Sequence, residues 1–221
     1  MPLTRSVEDY LKAIYLLAPG GGPVSTNDIA ERLGLSAPSV SGMVKRLSDA
    51  GLLDHEPYRG VVLNEAGRSS AIRMVRRHRL IEAYLVRFLG YSWDTVHDEA
   101  ERLEHAVSDV LVERMADALG NPRFDPHGDP IPSAEGIVEE STYTALAEVP
   151  AGETVQIRRV DTSQGDRLRY LEDHGLVPGS RVRVTAHHPF SGPVVLRMDD
   201  DHEQVIGHEL AVQILCSREP E

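Results

Sequence analysis

The chain has 221 residues, a formal net charge of −12 and one cysteine. Its length supports one or two domains with a substantial core. Cys216 alone excludes an intrachain disulfide and a cysteine-rich zinc site. No apolar run approaches the ~18 residues of a membrane span, and the N-terminus lacks the apolar core of a secretion signal, so a cytoplasmic chain with no membrane partner is expected.

A first helix is expected from about Ser6 to Ala18, with Leu11, Ile14, Tyr15 and Leu17 at apolar positions and the Gly/Pro run 19–23 ending it. Ser25 or Thr26 caps a short helix over Asp28–Leu33. Gly34 turns the chain, and Ser36 caps a third helix through Asp49. Leu52–Glu56 and Val61–Leu63 read as two short strands around residues 57–60. Helix, helix-turn-helix and hairpin together predict a winged helix. A long helix follows from Glu65 to about Leu89, then another capped by Ser92 and running to about Leu119. Two long amphipathic helices in this place serve either as a dimerisation unit or as packing for their own domain.

Residues 120–133 read as a linker, rich in Gly, Pro, Asn and Asp. Beyond Thr144 the period shortens. Val155–Val160, Arg181–Ala186, Val194–Met198 and Val212–Leu215 read as strands, with a short helix near Arg167–His174, giving a small β-barrel-like domain. Cys216 ends an apolar run and is expected to be a buried thiol.

The charge is unevenly distributed. Residues 1–80 carry 11 Lys/Arg against 8 Asp/Glu, and residues 81–221 carry 12 against 27. The basic part coincides with the helix-turn-helix, as a double-stranded DNA partner requires. Ser36, Ala37, Pro38, Ser39 and Ser41 open the expected recognition helix, where the first turn meets base edges. Small side chains there favour close approach, thymine-methyl contact and DNA-shape readout over long polar contacts. Lys45, Arg46 and the wing residue Arg59 are candidate phosphate contacts.

The ligand-bearing stretch is His97-Asp98-Glu99-Ala100-Glu101-Arg102-Leu103-Glu104-His105. On one continuous helix, His97, Glu101, Glu104 and His105 fall within about a quarter turn. Two imidazoles and two carboxylates there repel, or are costly to bury, without a cation. His78 and Glu82, at i and i+4 on the preceding helix, share a face that can meet His97. Taken singly these are ordinary helix histidines and surface acids; the combination points to a divalent metal. A metal hydrolase is disfavoured, because no His-Glu-x-x-His occurs. Neither an enzyme nor a small organic substrate is therefore expected. A winged-helix regulator that ignores metal is the remaining rival.

Several motifs together resemble the diphtheria toxin repressor family of metal-dependent regulators, and more closely its manganese-responsive branch. They are residues 8–15 (Glu-Asp-Tyr-Leu-Lys-Ala-Ile-Tyr), 29–33, the 36–41 turn, 77–82 (Arg-His-Arg-Leu-Ile-Glu), 97–105 and Pro130-Ile131-Pro132. The resemblance covers nearly the whole chain. It implies a mainly α fold with small β: a winged helix-turn-helix domain (1–65), a helical dimerisation and metal-binding domain (66–122), a linker (123–143) and a C-terminal SH3-like β-barrel similar to ferrous-transport accessory proteins (144–217). It also implies a homodimer that represses metal-uptake genes by binding a palindromic operator.

The resemblance implies a primary metal site at Asp9, Glu101, Glu104 and His105. It implies an ancillary site at His78, Glu82 and His97, joined by Asp161 and Gln164 from the barrel. A Cys-Pro-His-Gly motif of some manganese sensors reads Asp125-Pro126-His127-Gly128 here, adding Asp125 and His127 as possible ligands. Iron-responsive members carry Met and Cys where this chain has Asp9 and Glu101. Hard carboxylates at those positions favour Mn²⁺ over Fe²⁺ relative to the iron sensors, although Co²⁺, Ni²⁺, Zn²⁺ or Cd²⁺ can also fill such a site in vitro. Other members build a two-metal cluster with a Glu where this chain has Lys12.

Overall fold

The computed structural model describes residues 3–56, 60–139 and 141–218. The chain forms two compact units, Met1–His78 with Pro132–Val138, and Arg79–Ile131 with Glu139–Glu221.

The first unit opens with α1 (Arg5–Leu17), α2 (Thr26–Leu33) and α3 (Ala37–Asp49), followed by antiparallel β1 (Leu53–Glu56) and β2 (Gly60–Leu63). Ser25 accepts from the Asp28 amide to start α2, and Gly34, at φ +64°, closes it in the left-handed conformation that lets α3 turn away. Tyr10, Ile14, Ile29, Val40, Val44, Leu47, Leu53 and Val61 form one core from all five elements. This is the expected winged helix.

Asn64 then caps α4 (Glu65–Leu89), accepting from the Gly67 amide at 3.0 Å and donating to the Gly51 carbonyl at 2.8 Å. Gly67 lies where α4 crosses the chain after α3, and a Cβ there would stand 1.9 Å from the Leu52 carbonyl oxygen. Gly67→Ala should therefore destabilise the protein by about 1–3 kcal/mol through overpacking, opposite in sign to the usual helical Gly→Ala change. A lowered melting temperature in calorimetry checks this.

In the second unit the expected long helix over 92–119 is interrupted. It is two helices, α5 (Val96–Leu103) and α6 (Asp109–Ala118), with turns over 104–106 and a bend at 107. The break has a local cause. The Ala106 amide bonds the Leu103 carbonyl at 2.8 Å, and Ser108 restarts a helix by accepting from the Leu111 amide. Ile81, Leu85, Val96 and Ala100 pack α5 onto α4, while Leu80, Val112, Ala116 and Ile131 pack α6 and the linker.

The barrel is a six-stranded antiparallel sheet in the order β3-β8-β4-β5-β6-β7. Its strands are β3 (Thr144–Ala145), β4 (Thr154–Val160), β5 (Arg181–His187), β6 (Val194–Met198), β7 (Glu203–Ile206) and β8 (Ile214–Arg218). Register shifts at Ile157/Arg159 and Val184/Ala186 bend β4 and β5, allowing the sheet to curl over its core. α7 (Gly165–Asp173) and α8 (His208–Gln213) complete it. The sequence reading placed the last strand two residues early, because α8 runs through Gln213. It also passed over β7, whose start is polar. Cys216 is buried in the barrel core, and burial pushes its thiol up to about 12, which makes it inert. Trp93, from the 90–95 loop, packs into that same core.

No helix among the described residues is long and apolar enough to cross a membrane.

Candidate metal centre and nucleic-acid interface

On α3 the buried face is Val40, Val44 and Leu47, so the opposite face is left to solvent. Ser36, Ala37, Pro38, Ser39, Ser41, Lys45 and Arg46 are all exposed. The Ser36 and Ser39 hydroxyls pair at 2.9 Å, and Ser41 donates to the Ala37 carbonyl at 3.0 Å. The Ser41 proton is thus already used, leaving its oxygen to offer lone pairs. Helix α3 presents small, largely self-satisfied side chains with two cations behind them. Arg59 lies outside the described residues.

The candidate ligands of the second unit form a connected series. Glu82, on α4, points two carboxylate oxygens in two directions. Oε1 meets His97 Nδ1 at 3.0 Å, and Oε2 lies 3.9 Å from His127 Nδ1. His97 Nε2 lies 3.9 Å from Glu101 Oε1, one turn along α5. His97 therefore stands between the ancillary residue Glu82 and Glu101 of the expected primary set.

Glu82, Asp125 and His127 are all buried, and a ligand atom from each lies within 4.8 Å of the others. Asp125 is fixed by the turn it makes. Its Oδ1 accepts from the His127 amide at 2.8 Å and the Asp129 amide at 2.9 Å. Burial, then the charges of Asp129 and Glu82, push its carboxyl well above the usual carboxylate range; Arg79, 3.7 Å away, opposes this. Arg79 also donates to the Pro130 carbonyl at 2.6 Å and to Asp129 at 3.0 Å. His127 Nε2 meets the Trp93 carbonyl at 2.8 Å. A carbonyl only accepts, so Nε2 carries a proton and Nδ1 is the ring atom turned towards Glu82, the one that can offer a lone pair to a cation. Two acidic side chains and an imidazole, buried and converging, are a donor set suited to a hard divalent cation, whose charge would offset the burial and the neighbouring charges that raise the Asp125 carboxyl.

Glu104 follows α5 in the turn, where its side chain is fully buried and its Oε1 lies 3.5 Å from His105 Nε2. Glu104 keeps helical backbone angles and its amide still bonds the Ala100 carbonyl at 2.9 Å, so it is the last residue held by α5 before the chain turns. Asp9 sits half-buried on α1 in the first unit. In that unit too, Lys12 Nζ donates to His78 Nδ1 at 3.1 Å, both residues being buried. Asp161 is exposed and pairs with Arg159 at 3.1 Å, and Gln164, also exposed, is the N-cap of α7. Neither stands in the Glu82–Asp125–His127 group. Sequence reasoning missed Arg79, Asp129 and Trp93. Arg79 lies inside the 77–82 motif, but the Trp93 role belongs to its backbone carbonyl and carries no sequence signal.

A helix-turn-helix with a solvent-facing α3 in one unit and buried carboxylate–imidazole clusters in the other define a class, the metal-dependent DNA-binding regulators. Residues 2–61 match the family model for the iron dependent repressor N-terminal DNA binding domain. Residues 64–133 match its metal binding and dimerisation domain, and 144–218 the FeoA domain. The iron-dependent repressor IdeR of Mycobacterium tuberculosis is 37% identical over 225 residues, covering 95% of each chain. A solved structure described as a manganese-dependent transcriptional repressor in complex with manganese is 41% identical, with a TM-score of 0.90 over 96% of this chain and 100% of that one. The structure of the manganese regulator SloR is 35% identical, with a TM-score of 0.78 over 99% and 100%. The chain belongs to the diphtheria toxin repressor family and is a metal-dependent transcriptional repressor of that family, which is not a family of enzymes. Its matched domains make DNA and a second copy of the chain its partners.

Proposed function

We propose that the protein is a manganese-activated, homodimeric repressor of metal-uptake genes, acting in the cytoplasm on palindromic operator DNA. The observation that carries this reading is the buried Glu82–Asp125–His127 group, a hard oxygen and imidazole donor set without sulfur. Asp9, Glu101, Glu104 and His105 form the primary metal site in this reading and are equally free of sulfur. The second site centres on Glu82, Asp125 and His127, with His97 between the two sets. Asp161 and Gln164 join it only if the barrel loop that carries them moves.

A bound divalent ion supplies positive charge that lets these carboxylates stay ionised while buried. The chain's own residues do the rest. Arg79 and the 125–129 turn hold Asp125 in place, and the Trp93 carbonyl fixes the His127 proton on Nε2. Metal raises DNA affinity only if the DNA-competent arrangement holds these ligands better, and by linkage DNA then raises metal affinity by the same factor. On the DNA side, α3 reads methyl groups and groove shape, while Lys45 and Arg46 hold phosphates.

The second reading, an iron-responsive or broader divalent regulator, is favoured by the identity to the mycobacterial iron-dependent repressor. Anaerobic anisotropy titrations with a metal-uptake promoter separate them. Activation by Mn²⁺ at concentrations where Fe²⁺ leaves the protein inactive supports manganese; equal activation by Fe²⁺ supports the second reading.

A further inference from the structure

We infer that Trp93 is a positioning residue that couples cation binding at the Glu82–Asp125–His127 group to the seating of the barrel against the 90–95 loop and the 125–129 turn. The inference rests on the metal reading of that group and adds its regulation.

His127 is gripped from both sides. Its ring reaches towards Glu82 on α4, and its Nε2 donates to the Trp93 carbonyl. The two rings stack with centroids 5.6 Å apart and planes 21° from parallel. The His127 carbonyl accepts from the Val160 amide of β4 at 2.9 Å. Gly128, at φ +86°, presses so closely on β4 that a Cβ would lie 1.9 Å from the Arg158 carbonyl oxygen, and Asp129 meets Arg159 at 3.1 Å. The turn carrying two of the three candidate ligands is therefore also the turn that seats β4.

Trp93 closes the circuit. It enters from the loop before α5, yet its indole packs in the barrel core with Leu168, Ile157 and Ile214 among its members. Beside it, Asp94 accepts from Arg169 of α7 at 2.9 Å. The buried indole N–H has no hydrogen-bond partner among the described residues. Burying such a donor unpaired is costly, so the ring is held there by packing against a penalty. Displacing the barrel moves Trp93, and with it the carbonyl that keeps His127 Nδ1 facing Glu82. Conversely, a cation that holds His127 holds Val160 and the barrel. Supporting groups of this kind typically change metal affinity by 10–100-fold.

Two measurements on the full-length protein test this. In hydrogen–deuterium exchange, Mn²⁺ should slow the amides of β4, Val160 included, by about tenfold relative to chelator, and Asp125→Asn should abolish the slowing. In Mn²⁺ binding followed by electron paramagnetic resonance, Trp93→Ala should weaken the ion lost in Asp125→Asn by at least about tenfold, and Trp93→Phe should restore it. Arg169→Ala, which removes the α7 partner of Asp94, should weaken the same ion and serves if Trp93→Ala does not fold. If Asp125→Asn removes one ion but neither barrel variant changes its affinity, the coupling is wrong and the metal reading stands. If Asp125→Asn binds as many ions as the parent, the group is not a metal site, and coupling and reading fall together.

Discussion

Glu104→Ala should abolish metal-dependent operator binding while leaving the protein folded. Glu104 is fully buried, with His105 at 3.5 Å, so the substitution removes a central carboxylate of the proposed primary site. Removing a buried carboxyl also removes the cost of burying it, so the metal-free chain should not lose its fold. What disappears is the coupling between metal and DNA, roughly 5- to 150-fold in affinity for such systems. Anisotropy with and without Mn²⁺ measures it, alongside a thermal melt. An operator affinity that still rises normally with Mn²⁺ would overturn the assignment of Glu104.

Asp125→Asn should change stability in opposite directions with and without metal. The Asp125 carboxyl is raised by burial and by Asp129 and Glu82. Between the ordinary carboxylate range and that raised value, the metal-free folded chain holds a proton that the unfolded chain has released. Its stability therefore falls as pH rises through that window, and the penalty is fully present above it. Asparagine keeps an Oδ1 acceptor for the His127 and Asp129 amides but has no charge to bury. The metal-free variant should be more stable at neutral pH, by about 1–4 kcal/mol, and its stability should depend less on pH. With saturating Mn²⁺ the order should reverse, because an amide is the poorer ligand and the stabilisation from binding is reduced. Calorimetry in chelator and in Mn²⁺ reads both signs. A variant less stable than the parent in chelator would show that Asp125 is a structural anion for Arg79 instead.

Much of this was legible in the sequence because the signals are local. Ser25, Gly34 and the Val40/Val44/Leu47 spacing specify the helix-turn-helix without reference to the rest of the chain. The 97–105 stretch shows its candidate ligands as residue types. Their geometry was less legible. Reading 92–119 as one helix put Glu104 on a continuous helix face, whereas α5 ends at Leu103 and Glu104 is its buried C-cap. Periodicity does not register a break made by one backbone bond and one cap. The grouping of Asp125 and His127 with Glu82, and not Asp161, depends on how the 125–129 turn seats against β4, which is a matter of tertiary packing. Gly128 is the residue that permits it.

The most direct test of the account is operator affinity measured twice on the same protein, once in chelator and once in saturating Mn²⁺, at one fixed salt concentration. The account predicts weak, largely nonspecific binding in chelator and binding tighter by roughly 5- to 150-fold or more with Mn²⁺. Tight operator binding in chelator, unchanged by Mn²⁺, would contradict it and reduce the carboxylate–imidazole groups to structural ones.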